Sequence, residues 1–243
     1  MKFRSILLTS LAVLGISGFG FGTIDAKAST DLNQTKESAT VFSDDGLQSI
    51  KENQLKMGSN EETADKLIEK YKNGGMADAD LMGFEDAVSS STAVIGEITS
   101  TTYVFPDGSR AQATVDKTQS SAIQRIGISG GSCQTTSGGT ECKGVKVSNK
   151  LAAYGYEYQV NYWLNRYGND SIMWQGNPNI WMAGGTYASM SLRKVTPVNT
   201  TWDDEARLSA QLNVGGDVGS ITRSLSFYVG NRNKTDVKWN SFY

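Results

Sequence analysis

Cys133 and Cys142 are the only thiols in a chain of 243 residues that contains no histidine. Without an imidazole the chain cannot build a Ser-His-Asp triad, a Cys-His dyad or an HExxH zinc site. Two cysteines are too few for a four-cysteine zinc site. Carboxylate chemistry and lysine-activated nucleophiles remain open. The cysteines bracket Gln-Thr-Thr-Ser-Gly-Gly-Thr-Glu. If Ser137-Gly138 is a two-residue hairpin turn, Thr136 faces Gly139 and Cys133 faces Cys142. That pair is a non-hydrogen-bonded one, with Cα atoms ~4.5 Å apart, within disulfide reach. A structural disulfide is predicted. Glu141 beside the pair argues against a redox-active thiol, which needs an electropositive site.

Carboxylates gather at Trp202-Asp203-Asp204-Glu205, and Asp170 and Glu157 complete the pool. An oxygen-rich loop can hold Ca²⁺, but the spacing and glycine of an EF-hand are missing. A solvated acidic turn is the plainer reading, and no metal or cofactor is expected. The same pool is the one source of a glycosidase pair, which needs two carboxyl groups ~5 Å or more apart. No catalytic residue is assigned. The binding candidates are Trp163, Asn161, Asn165, Lys143 and Lys146. An exposed indole flanked by amides can stack on a sugar ring or anchor a partner. The competing reading has helices or a second sheet covering that face. Lys143, Lys146 and Lys150 recur at short spacing, suited to anionic wall polymers or lipid heads. A solvated strand face explains them equally well.

These residues need elements to place them. Leu47 and Ile50 give one apolar stripe over 43–57, capped by Ser43 or Asp44. Ser59 and Glu62 read as a capping box for a second helix. Its Ala64, Leu67, Ile68 and Tyr71 share one face, and Gly74-Gly75 stops it. Residues 77–87 read as a short helix or a loop. Ser89-Ser90-Ser91-Thr92 reads as a boundary.

From Ala93 the period is two. Pro106-Asp107-Gly108 is turn chemistry between two strands. Tyr154, Tyr156, Tyr158, Val160, Tyr162 and Leu164 share one face of a long strand. Glu157, Gln159, Asn161, Trp163 and Asn165 share the other. Strands follow at 172–174, 180–182 and 186–194. Ala206, Leu208, Ala210, Leu212 and Val214 alternate with polar residues, Gly215-Gly216-Asp217 turns the chain, and 221–229 and 237–242 close it. The expected class is α+β, mainly β: an antiparallel β-sandwich or barrel preceded by a small helical region.

Residues 29–99 hold 14 acids and 6 bases, and residues 100–243 hold 10 acids and 14 bases. The split suggests an acidic helical region docked on a basic β-domain. Exposed pairs are weak, about 0–1 kcal/mol each, so Leu67, Ile68 and Tyr71 must anchor it. At the N-terminus Lys2 and Arg4 precede an apolar run over 6–22, and Ala26-Lys27-Ala28 supplies a cleavage pattern. This reads as a secretory signal peptide over 1–28. A tether over 29–42, an acidic helical region over 43–92 and a β-sandwich over 93–243 follow.

The segment Asp65-Lys66-Leu67-Ile68-Glu69-Lys70-Tyr71-Lys72-Asn73-Gly74, with Tyr103-Val104-Phe105-Pro106-Asp107-Gly108-Ser109 some thirty residues on, resembles a group of uncharacterised secreted proteins of Gram-positive bacteria. The matching motifs cover under a fifth of the chain. The resemblance implies export and a β-rich domain entered through a "PDGS" hairpin, and no activity. The expected role is a secreted, non-enzymatic binding module acting at a cell surface or in the medium. Its expected partner is surface glycan or an anionic wall polymer, with no nucleic acid and no stable membrane anchor. A secreted toxin or bacteriocin-like protein with an acidic leader, and a carboxylate-based glycosidase, are the alternatives.

Overall fold

The computed structural model describes residues 42–117, 131–198, 201–215 and 219–242. The expected signal peptide, the tether up to residue 41, and Gly216 and Asp217 of the last expected turn lie outside the described residues. The helices are α1 (Asp44–Lys56), α2 (Glu61–Lys72) and the single turn α3 (Asp78–Leu81), followed by a 3-10 turn at Phe84–Asp86. Among the described residues no helix is long and apolar enough to cross a membrane. Ser43 caps α1, accepting from the Gly46 amide at 3.2 Å. The cap of α2 falls one residue later than the Ser59–Glu62 box predicts. Asn60 accepts from the Thr63 amide at 2.8 Å, while the Ser59 hydroxyl bonds to the buried Gln54 side chain. Gly74, at φ 81°, ends the helix, and the Gly75 amide donates to the Lys70 carbonyl at 2.9 Å.

The strands form two antiparallel sheets. The first contains β1 (Ser89–Ile95), β2 (Ile98–Val104), β3 (Arg110–Asp116), β4 (Ser132–Thr136), β5 (Gly139–Lys150), β6 (Tyr154–Asn165) and β7 (Ser171–Met182). Its order is β1-β2-β3-β5-β6-β7, with β4 also paired to β5. The second contains β8 (Thr186–Val195), β9 (Trp202–Gly215), β10 (Gly219–Gly230) and β11 (Lys234–Phe242), in the order β11-β10-β9-β8. Among the described residues neither sheet closes on itself, so the sandwich is the form adopted. The serine run is not a boundary: Ser89–Thr92 pair with Val104–Thr101 as an exposed edge strand. Small hydroxyl side chains suit an edge that packs on nothing. In the β4–β5 hairpin Thr136 faces Gly139 and Cys133 faces Cys142, and the two sulfurs are bonded.

Alternation along β6 sets the core. Tyr154, Tyr156, Tyr158, Val160 and Tyr162 turn inward and are fully buried. They meet Leu208, Leu212, Leu225, Phe227 and Trp239 of the second sheet in one cluster. Tyr156 packs edge-on against Trp239, and the Tyr158 hydroxyl crosses the sandwich to the Ala206 carbonyl at 2.8 Å.

The helices close the end of the sandwich where the Pro106–Ser109, Leu151–Ala153 and Ala183 turns lie. Leu67 and Tyr71 are buried in the same core, and Ile68 packs partly against it. Gln54 of α1 bonds both the amide and the carbonyl of Arg110, at 2.8 and 2.9 Å. Asp80 of α3 is fully buried. Its carboxylate accepts from the Tyr71 hydroxyl and from the Ala153 amide, the latter at 3.1 Å. Its carbonyl accepts from the Tyr154 hydroxyl and from Arg223 Nε, and Arg223 Nη2 reaches the Leu81 carbonyl at 2.9 Å. Among the described residues the ion pair from the helices to the 106–109 turn runs against the charge split: Lys70 of α2 holds Asp107 at 2.8 Å and also Asp78 of α3 at 3.0 Å.

Two predictions follow from this packing. Leu208→Ala is expected to cost about 2–5 kcal/mol in denaturant unfolding, and Gln211→Ala, on the exposed face of β9, less than about 0.5 kcal/mol. The second concerns Asp80. Burial raises its pKa to about 7, against the hydrogen bonds from Tyr71 and Ala153, which lower it. A carboxyl raised in the folded state favours folding most below its unfolded pKa of 3.8, and that stability is lost as pH rises through about 7. Asp80→Asn mimics the protonated form. Relative to this variant, the native chain should lose stability on the order of 2–3 kcal/mol between pH 5 and pH 8. A constant difference across that range would refute the assignment.

Candidate functional site

Because the tyrosines of β6 turn inward, its intervening residues turn outward, onto the face of the first sheet away from the core. The same alternation fixes the neighbours. Glu141 and Lys143 of β5 face outward before the bulge between Cys142 and Val145, and Lys146, Ser148 and Lys150 after it. On β7, Trp174 stands opposite Asn161 and Trp181 opposite Gly155.

The predicted site residues share this face but do different work. Trp163 is half-buried, with its ring over the β4–β5 turn; a Cβ on Gly139 would come within 3.0 Å of it. The Asn161 side chain accepts from the Gly144 amide at 2.7 Å and so holds the β5 bulge. Asn165 belongs to the turn after β6. Its side chain accepts from the Tyr167 amide at 3.1 Å and its amide donates to Asp170 at 2.6 Å. Lys143 pairs with Glu141 and Lys146 with Glu157, each at 3.0 Å. Asn161 and Asn165 are thus fixed by the backbone, whereas Trp163 and the lysines line the surface.

Two tryptophans that sequence reasoning had not selected complete the face. A Cβ on Gly155 would lie 2.2 Å from Trp181 Nε1, and one on Gly176 would lie 2.3 Å from Trp174 Cζ2. Each indole therefore rests where a glycine leaves room. Trp174 is 41 % exposed. From Gly155 to Trp163 the row follows eight steps of β6, roughly 27 Å at the usual strand rise. The signal was in the sequence: an isolated glycine between Tyr154 and Tyr156 marks a close approach.

At the Trp181 end, α1 stands over the sheet and a groove of about 520 Å³ opens. Glu52, Asn53 and Lys56 form one wall, and Lys150, Glu157 and Trp181 the other. The Lys150 ammonium lies 6.0 Å from the centre of the Trp181 ring. Burial, and then the Lys56 charge, push the Lys150 pKa below the usual lysine value.

The acidic cluster lies elsewhere and is structural. Asp203 accepts from the Asp170 amide at 2.8 Å and Asp204 from the Ile172 amide at 2.9 Å. Lys194 pairs with Asp204, and Arg207 clasps Glu205 through Nε and Nη2. Asp170 accepts from the Asn165 and Asn233 amides, and burial raises its pKa. These carboxylates tie β6, β7, β9 and the β10–β11 turn together. Among the described residues no group of three or more acidic or cysteine side chains is arranged to hold a metal ion.

Comparison with protein-family models, with curated proteins and with solved structures gave no match. The site is therefore read from its own geometry.

Gly155→Ala tests the seating of Trp181. The new Cβ would meet the indole and also the Asn149 carbonyl, at 2.6 Å. Overpacking of this kind costs about 1–3 kcal/mol. Thermal unfolding should show the loss, and tryptophan emission should shift to the red as the displaced indole meets water.

Proposed function

We propose that the protein is a secreted, non-enzymatic binding module that holds a surface glycan along the outer face of its seven-stranded sheet. The observation that carries this reading is the row of Trp163, Trp174 and Trp181, each seated where a glycine leaves room. A sugar ring offers an apolar face of C–H groups, and a fixed indole matches it with large area at small entropic cost. A row some 27 Å long, by strand rise, suits an extended chain better than one small ligand. Polar groups between the rings, Lys146 and Glu157 among them, can bond the sugar hydroxyls. Export rests on the Lys2–Ala28 pattern and suits a ligand outside the cell. The carboxylates expected to serve a glycosidase are committed to amides and cations, which favours binding over hydrolysis.

The experiment is a pull-down of the protein on purified cell-wall polysaccharide, with Trp174→Ala and Trp163→Ala beside it. Trp174→Ala should reduce retention about tenfold or more while leaving the unfolding midpoint within a few degrees. Equal retention of both variants and the native protein would show that the face does not bind.

The toxin reading has one observation in its favour. The β1–β2 hairpin carries Ser and Thr along both arms and exposes Val94 and Ile95 near its tip, at 66 % and 77 %. Dye leakage from liposomes separates the two: the binding module should cause none at concentrations that saturate polysaccharide.

A further inference from the structure

We infer that the groove between α1 and the β5–β7 end of the sheet is a subsite for an acidic sugar, with Trp181 under the ring and Lys150 and Lys56 on its anionic group. The inference rests on the glycan reading and makes it specific.

Charge balance points to an anion. Lys143 and Lys146, further along the same sheet face, are each closed by a glutamate at 3.0 Å. Lys150 has no carboxylate partner among the described residues. It sits partly buried against an indole, facing the charge of Lys56. Among the described residues Lys56 pairs with Glu52 of its own helix, at 3.6 Å. Glu52 and Glu157 also line the groove, but each is engaged by a lysine, Lys56 and Lys146. Lys150 is left as the groove cation that no carboxylate among the described residues pairs with, and it faces the Lys56 charge. A negative group beside it would offset that charge, which favours an acidic ligand over a neutral one of the same shape.

The second observation is size. A space of about 520 Å³ falls within the range of small-molecule sites, roughly 300–1,000 Å³. The indole requires a ring as well as a charge. A sugar carrying a carboxylate meets both demands, whereas a polyol phosphate meets only the second.

The test is titration of the full chain, followed by tryptophan fluorescence and calorimetry, with three probes. These are trigalacturonic acid, its uncharged methyl ester and glycerol phosphate. The acid should bind and quench emission, and its affinity should fall as salt rises. The methyl ester should bind about tenfold more weakly or worse, and glycerol phosphate should not compete. Lys150→Gln and Lys56→Gln should each weaken the acid about tenfold and leave the ester unchanged. Lys234→Gln, on an exposed strand away from the groove, is the folding and charge control. Equal binding of acid and ester overturns the inference, as does an unchanged acid affinity in Lys150→Gln or failure of the acid to bind at millimolar concentration. Glycerol phosphate displacing the acid would reduce the site to a bare anion site and overturn the sugar assignment. In each of these cases the polysaccharide retention of Trp174→Ala still decides the wider reading separately.

Discussion

The helical region and the two sheets are fastened at one buried carboxylate. Asp80 draws together α2 through Tyr71, the β5–β6 turn through Ala153, and its own carbonyl receives Tyr154 from the first sheet and Arg223 from the second. A buried ion is costly to desolvate, and here the pairing is indirect: Arg223 meets carbonyls, not the carboxylate. Each carboxylate oxygen of Asp80 has a donor, the Tyr71 hydroxyl on one and the Ala153 amide on the other, and the residue itself is fully buried. It also sets the geometry of everything outside it. With α3 pinned to the sandwich end, α2 must lie so that Lys70 reaches the Asp107 turn, and α1 so that Gln54 reads the Arg110 backbone.

That geometry explains why most of the first sheet's outer face is left uncovered by the helices. A sandwich buries one face of each sheet. The helices could have covered the outer face of the first sheet, as the competing reading of Trp163 had it. They are instead used at the end of the sandwich, and α1 only overhangs the Trp181 corner. The outer face can then carry side chains that a core could not. Two further features protect it from becoming an aggregation surface. Asn177, at φ 53°, and Pro178 interrupt β7, the edge strand beside the tryptophans, and Lys194 of the neighbouring edge strand turns inward to Asp204.

Much of this was legible in the sequence, for identifiable reasons. Period-two alternation named the inward tyrosines of β6 and the leucines of β9, because one face of each strand is buried and the register has no freedom. The disulfide followed from counting outward from a two-residue turn. The errors came where local signals compete. Ser59 and Asn60 can each cap a helix; Asn60 takes the cap while the Ser59 hydroxyl donates to Gln54, a tertiary contact that the local sequence does not show. Ser89–Thr92 looks like a linker because an edge strand needs no apolar residues. The charge totals suggested acid on base, yet docking depends on a few buried contacts, and Lys70–Asp107 runs against the totals. Trp174 and Trp181 do not stand out by sequence because their seats are glycines of the fold, Gly176 on the same strand and Gly155 on the next.

The same contacts bear on whether the helical region could be a removable leader. A chain beginning at Ala93 would lose four residues of β1 and with them the pairing of Val104–Thr101. It would also lose Asp80 and Leu81, taking away the carbonyls that accept from the Tyr154 hydroxyl and from two of the Arg223 nitrogens. Hydrogen bonds to a charged group contribute about 1.5–3 kcal/mol each, a large part of an ordinary domain's stability. Loss of Leu67, Tyr71, Ile50 and Phe42 would strip the end of the core at the same time. The acidic segment therefore belongs to the folded unit rather than masking it. It also supplies Lys56 and Asn53, one wall of the groove, so cutting it away would remove that wall along with the stability. The fold and the groove depend on the same junction, and the helices serve both by standing at the end of the sheet instead of over its face.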